Sequence, residues 1–138
     1  MKMNYLLDTN ACIALMASVT NEVQTRFARA FHKGGSFFTS SVVAFELWYG
    51  VSKSKRVADN TRRYNTFFAG PIDVLLFDQG AAQAAGELRA RLEASGKPIG
   101  AYDLLLAGQA MHHNMTLITA NVAEFSRVRG LLWEDWSK

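Results

Sequence analysis

Four carboxylates, Asp8, Glu46, Asp103 and Glu124, stand in this 138-residue chain where apolar runs give way to turns or where a charge interrupts apolar neighbours. Gathered in one cleft without basic partners they repel, each pair by roughly 3 kcal/mol at about 5 Å and an effective dielectric near 20. A cation offsets that cost. Oxygen ligands around an open coordination position suit Mg2+ or Mn2+, which bind phosphate oxygens, lower the pKa of a water and stabilise an in-line displacement. Metal-assisted phosphodiester hydrolysis is the reaction class such a donor set points to. Each residue also has a plainer reading. Asp8 could cap the helix that follows it, Asp103 could stabilise a helix N-terminus through the dipole, and Glu124 could be a surface residue before Phe125. Glu46 resists that treatment, because a carboxylate among Phe45, Leu47 and Trp48 risks burial without compensation.

Other chemistries fail on spacing. The chain has no G-x-x-x-x-G-K-[ST] phosphate loop, no G-x-G-x-x-G fingerprint and no G-x-S-x-G elbow. His112 and His113 are adjacent, so on a helix they diverge by about 100° and are not expected to share a metal as an i, i+4 pair does. A helix C-terminus, where the dipole favours positive charge, is their expected place. Trp48, Trp133 and Trp136 read as core rather than as base-stacking platforms.

The elements that must position the carboxylates alternate between strand and helix. Asn4–Leu7 reads as a strand ending at Asp8, with Thr9–Ala17 turning into a helix. Asn21-Glu22-Val23-Gln24 has the capping-box pattern, and Val23, Phe27, Ala30 and Phe31 recur at helical spacing up to Gly34-Gly35. Ser36–Thr39 is a strand, Ser40 or Ser41 a cap, and Val42–Tyr49 a buried helix stopped by Gly50. Over Ser54–Ala69, Val57, Thr61, Tyr64 and Phe68 fall on one face and Lys55, Arg56, Arg62 and Arg63 on another. Ile72–Phe77 reads as a strand, Asp78 as an N-cap, and Ala81, Ala85, Leu88 and Leu92 as a buried stripe closed by Gly96. Ala101–His113 is helical, Leu117–Thr119 a strand and Val128–Leu132 a last edge strand. Such alternation predicts an α/β fold: a central, mainly parallel sheet of four to five strands flanked by helices, with ligands outside the carboxyl ends of the strands.

Length and composition bound the reading. At 49% hydrophobic and with two Pro, the chain suits one compact domain over residues 1–138 and excludes a disordered or fibrous class. Its longest run without a polar residue, Ala11–Ala17, falls well short of the roughly 18 needed to span a bilayer. No signal-like apolar region precedes Asp8, so a cytoplasmic, membrane-free location is expected. The lone Cys12, set among apolar residues, reads as a buried structural thiol in a reducing compartment. Net charge is +3, but residues 1–70 hold nine basic and four acidic groups while residues 71–138 hold six and eight. With the four carboxylates above set aside, fifteen bases face eight acids, a balance that suits a polyanion. Lys53, Lys55, Arg56, Arg62 and Arg63, opposed only by Asp59, form a candidate phosphate contact, although a charge run is more often a solvated face.

Four segments in order, Leu6-Leu7-Asp8-Thr9-Asn10, Ser40–Leu47, Ile99–Ala107 and Leu117–Phe125, resemble the PIN-domain ribonucleases, and in particular the VapC toxins of VapBC toxin-antitoxin pairs. The resemblance extends through the Gly130-Leu131-Leu132 to Trp136 tail, essentially the whole chain. It implies one PIN domain over residues 1–138 and an endoribonuclease dependent on Mg2+, with Mn2+ able to substitute. It further implies a structured RNA substrate such as tRNA and neutralisation by a small VapB-like antitoxin, with a homodimer that enlarges when antitoxin binds. Asp8, Glu46 and Asp103 match the three principal acidic positions, Asp8 and Asp103 as metal ligands, with Thr9 supporting the first carboxylate. Asn121 stands where many PIN domains have Asp, and Glu124 is expected to supply the missing charge, so the number of metal ions stays open. Lys55, Arg56, Arg62 and Arg63 are the expected RNA contacts. If Asn121 breaks the metal site, the alternative is a PIN-like RNA- or partner-binding module with weak or no catalysis. A phosphatase of the haloacid dehalogenase type needs a second Asp two residues after the first, where this chain has Asn10.

Overall fold

The computed structural model describes residues 2–138, and among these five strands and seven helices are formed. In chain order they are β1 (Asn4–Leu7), α1 (Thr9–Met16), α2 (Glu22–His32), β2 (Ser36–Ser40), α3 (Ser41–Lys53) and α4 (Val57–Phe68). β3 (Ile72–Leu75), α5 (Gln79–Ala94), α6 (Ala101–His112), β4 (Thr116–Ile118), α7 (Val122–Phe125) and β5 (Trp133–Glu134) follow. The strands make one sheet in the order β3-β2-β1-β4-β5, every pair parallel, as the alternation of strand and helix requires. β1 lies at its centre, with Leu7 opposite Thr39 on one side and Ile118 on the other. The chain first builds outward through β2 and β3, then returns to place β4 on β1's free edge. That reversal opens a crevice at the carboxyl ends of β1 and β4.

Leu6, Leu7, Leu117 and Ile118 are buried on both faces of the central strands, under Cys12, Val43, Leu47, Leu88 and Phe125 from the helices. Continuous apolar runs in β1 and β4 are what a sheet covered on both sides demands. Cys12 is buried, and burial pushes its thiol up to about 12, which suits a packing residue rather than a nucleophile. Trp136 is core, tilted against Tyr5 and edge-on to Phe37, while Trp48 and Trp133 are half-buried. No helix among the described residues is long and apolar enough to cross a membrane.

Helix starts follow the caps. Asp8 accepts from the Ala11 amide at 2.8 Å, Asn21 from Gln24 at 2.9 Å, Ser40 from Val42 at 3.0 Å and Asp78 from Ala81 at 2.9 Å. The expected capping box is only half present. The Gln24 side chain donates to the Ala14 and Ala17 carbonyls, satisfying the end of α1 instead of returning to Asn21. Gly50 does not stop α3, which continues to Lys53 and closes at Ser54, whose hydroxyl donates to the Val51 carbonyl at 2.7 Å. The helix expected from Ser54 consequently begins at Val57, and Lys55 and Arg56 lie in the turn before it. Of the expected apolar stripe, Tyr64 and Phe68 pack against the core while Val57 is exposed. β3 ends at Leu75 rather than Phe77. The last strand is Trp133–Glu134 rather than Val128–Leu132, because Gly130, at φ +90°, turns the chain before it reaches the sheet.

α5 and α6 form an antiparallel hairpin at close range. Gly108 makes this possible, since a Cβ there would stand 2.6 Å from the Cα of Ala85. The Gln109 amide donates to the Leu75 and Leu76 carbonyls, each at 3.3 Å, and fixes α6 against the end of β3.

Candidate active site

The crevice at the end of β1 is a cavity of about 210 Å3 whose polar lining comes from Asp8, Thr9, Asn10, Glu46, Asp103 and Asn121. Each reaches it by a separate route. Asp8 is the first residue past β1 and caps α1 through Oδ1, and it lines the cavity as well. Only 8% exposed, it also lies near the Thr119 hydroxyl just past β4, which works to lower its pKa. That hydroxyl accepts from the Asn121 amide at 3.0 Å, which leaves its proton for Asp8. Glu46 faces the cavity from the second turn of α3, and the Thr9 hydroxyl donates to its Oε1 at 2.8 Å. Thr9 thus supports Glu46 directly, not the first carboxylate. Asp103 sits in the first turn of α6, whose N-terminus has no side-chain cap.

Asn121 links the last two acids. Its Nδ2 donates to Asp103 Oδ2 at 3.0 Å and to Glu124 Oε2 at 2.7 Å, while Glu124 Oε1 accepts from the Gly100 amide at 2.8 Å. An Asp at position 121 would have added a third acceptor where this chain has a donor. Asn121 and Glu124 therefore form a bridge that fixes Asp103 from the β4 side. Glu124 is not among the residues lining the cavity itself.

The carboxyls are strained electrostatically. Burial, followed by the approach of Glu124, raises Asp103 to about 7, although the Asn121 amide works in the opposite direction. Asp8 is raised as well, chiefly by burial, against the lowering effect of the Thr119 and Ala11 hydrogen bonds. Glu124 is lowered by its hydrogen bonds from Asp103 and the Gly100 amide. The two carboxyls are thus pushed in opposite directions, Asp103 up and Glu124 down. Such a set, all oxygen, crowded and short of positive charge, fits a hard divalent cation.

The basic run lies elsewhere. None of Lys55, Arg56, Arg62 and Arg63 lines the cavity. Arg62 pairs with Asp59, and Arg63 donates to the carbonyl of Met16, at the far end of α1 from Asp8, at 2.8 Å. Lys55 and Arg56 are exposed in the α3–α4 turn. Thr119 and the Gly100 amide are contributions that residue-type reasoning passes over: one looks like an ordinary strand threonine, and a backbone N–H carries no signature. A larger cavity of about 450 Å3, lined by Leu92, Pro98, Ile99 and Leu104 between α5 and α6, contains none of these carboxylates.

His112 and His113 do end α6, as expected, and their rings do not point apart as fully as ideal helix geometry implies. His113 is the C-cap, with ψ of 4°, and the two rings approach to 4.8 Å between centroids.

Comparison with known proteins agrees with this architecture. The family model for the PIN domain matches residues 5–131. The tRNA(fMet)-specific endonuclease VapC of Shigella flexneri is 38% identical over 135 residues, covering 98% of this chain and 99% of that one. Ribonuclease VapC2 of Rickettsia felis is 36% identical over 136 residues, covering 99% of this chain and all of its own. A solved structure, VapBC2 from Rickettsia felis bound to a DNA fragment from its promoter, superposes with a TM-score of 0.88 at 35% identity, covering 97% of this chain and 99% of that chain.

Proposed function

The chain belongs to the PIN-domain family as a VapC-type ribonuclease, and from that premise we propose that it is a Mg2+-dependent endoribonuclease toxin cleaving structured RNA such as tRNA, held inactive by a VapB-like antitoxin. The observation that carries this reading is the convergence of Asp8, Glu46 and Asp103 on one cavity, with Asn121 bridging Asp103 to Glu124. A tRNA substrate is supported by the Shigella flexneri relative, and an antitoxin partner by the Rickettsia felis complex. The same reading takes residues 1–138 as one PIN domain in the cytoplasm that pairs as a homodimer and enlarges with its antitoxin.

Asp8 and Asp103 would hold the divalent ion. When bound, Mg2+ supplies positive charge for a phosphate oxygen and acidifies a water, and Mn2+ would serve similarly. Glu46, with Oε1 fixed by Thr9, offers Oε2 to orient the attacking water and take its proton. Asn121 and Glu124 keep Asp103 aimed into the cleft, and Thr119 does the same for Asp8. Lys55 and Arg56, with Arg62 and Arg63, would hold RNA phosphates away from the reacting bond, since all four lie outside the cavity. Incubating purified protein with tRNA tests the assignment: cleavage should require Mg2+ or Mn2+, stop in EDTA, and fall at least 100-fold in Asp8→Asn, Glu46→Gln and Asp103→Asn. Persistent cleavage by Asp103→Asn, free of contaminating nuclease, would reject the site. RNA binding without cleavage by the wild type would favour a PIN-like binding module instead.

A further inference from the structure

We propose that Asp78, His112 and His113 form a second metal site, for a borderline transition-metal cation of the Zn2+, Co2+ or Ni2+ class, separate from the acidic cleft. One ligating atom from each of the three lies within 4.8 Å of the others. A cation bonded at about 2.0–2.2 Å draws such atoms to roughly 3–4 Å, a shortening that side-chain rotation can supply at these positions. Three protein ligands leave a fourth tetrahedral position for water.

Three further observations point to an ion here. Nε2 of His113 is sealed from solvent and has no hydrogen-bond partner, a costly condition for a buried ring nitrogen that a ligand would relieve. Asp78 caps α5 through Oδ1 alone, so Oδ2 is left for another partner. Residue 80 is glycine, and any Cβ there would run into the His112 imidazole, so the backbone at the start of α5 makes room for that ring.

The two sites differ in chemistry and in place. Imidazole nitrogens favour Zn2+ and its neighbours over Mg2+, whereas the cleft offers oxygen only. Asp103 and His112 are nine residues apart on α6, about 13 Å along its axis, too far to share an ion. A cation at the second site would bond the first residue before α5 to the last turn of α6, closing the end of the helical hairpin opposite its loop.

The test uses metal-stripped full-length protein in excess Mg2+, titrated calorimetrically with Zn2+, with Co2+ absorption reporting the coordination. One Zn2+ should bind per chain, raise the melting temperature and shift the ring resonances of His112 and His113 while leaving His32 unmoved. His112→Gln and Asp78→Asn, the latter still able to cap α5, should each weaken binding by at least the roughly 10–100-fold that loss of an outer-shell partner costs. Asp8→Asn should bind Zn2+ as the wild type does, and His112→Gln should cleave RNA in Mg2+ as the wild type does. Zn2+ binding undiminished in His112→Gln, or abolished in Asp8→Asn, would overturn the proposal.

Discussion

Replacing Asp103 by Asn should leave the protein inactive yet more stable in the absence of metal. The carboxyl rises from 3.8 to about 7 on folding, so the unfolded chain releases its proton first and stability falls as pH climbs through that window. At about 1.4 kcal/mol per unit the penalty would exceed about 4 kcal/mol above neutrality. Solvent in the open cleft and the opposite shift of Glu124 reduce it to about 1–2 kcal/mol. Losing a charge in the first turn of α6 returns about 0.3–1 kcal/mol of that gain. Thermal melts in EDTA at pH 8 should therefore place Asp103→Asn above wild type by up to about 6 °C. At pH 5, where folded Asp103 is still protonated and only the lower part of that window has been crossed, the gap should narrow. Added Mg2+ should raise the wild-type melting temperature and move the variant much less, because an ion that binds only the folded state stabilises it by mass action. Equal melting temperatures at both pH values, insensitive to Mg2+, would refute a shared acidic cleft and leave Asp103 as a helix-terminus residue.

Thr9→Val removes the donor to Glu46 while keeping the side-chain shape, so kcat should drop about 10-fold with stability changed by about 1 kcal/mol or less, measured by single-turnover cleavage and urea melts. Neutralising Lys55 and Arg56 should weaken RNA binding and flatten its salt dependence. Neutralising Arg62 and Arg63 should do less, since Arg62 already pairs with Asp59 and Arg63 with a carbonyl; filter binding at two salt concentrations distinguishes the pairs. Gly108→Ala forces α5 and α6 apart and should cost about 1–3 kcal/mol in urea denaturation, with activity reduced because α6 carries Asp103.

The parallel sheet and three of its acidic positions could be read from sequence because each left a local mark. Asp8 breaks the run Tyr5-Leu6-Leu7, Glu46 interrupts a buried helix face, and Asp103 follows a Gly turn. What was not legible depends on tertiary partners. Val128–Leu132 has the composition of a strand, but the sheet accepts Trp133–Glu134, and the Leu117 amide reaches the Leu132 carbonyl only after the turn at Gly130. Gly50 looks like a helix stop, yet its neighbours Leu47 and Val51 are both buried by the same face of α3, and that packing carries the helix past it. The hydroxyl of Thr119 and the amide of Gly100 acquire roles only once β4 and α7 have closed over Asp8 and Asp103.

The placement of β1 at the centre of the sheet, with β4 added to its free edge late in the chain, makes the order of synthesis matter. Asp8 leaves the ribosome early, whereas Thr119, Asn121 and Glu124, which hold Asp8 and Asp103 in place, come from the last fifth of the chain. At about 5–20 residues per second, roughly 6–23 s separate the making of Asp8 from that of Glu124. Throughout that interval a nascent chain presents isolated carboxylates on an incomplete sheet and no assembled cleft. On the proposed assignment, a chain emerging from the ribosome has no assembled catalytic site until nearly all of it exists.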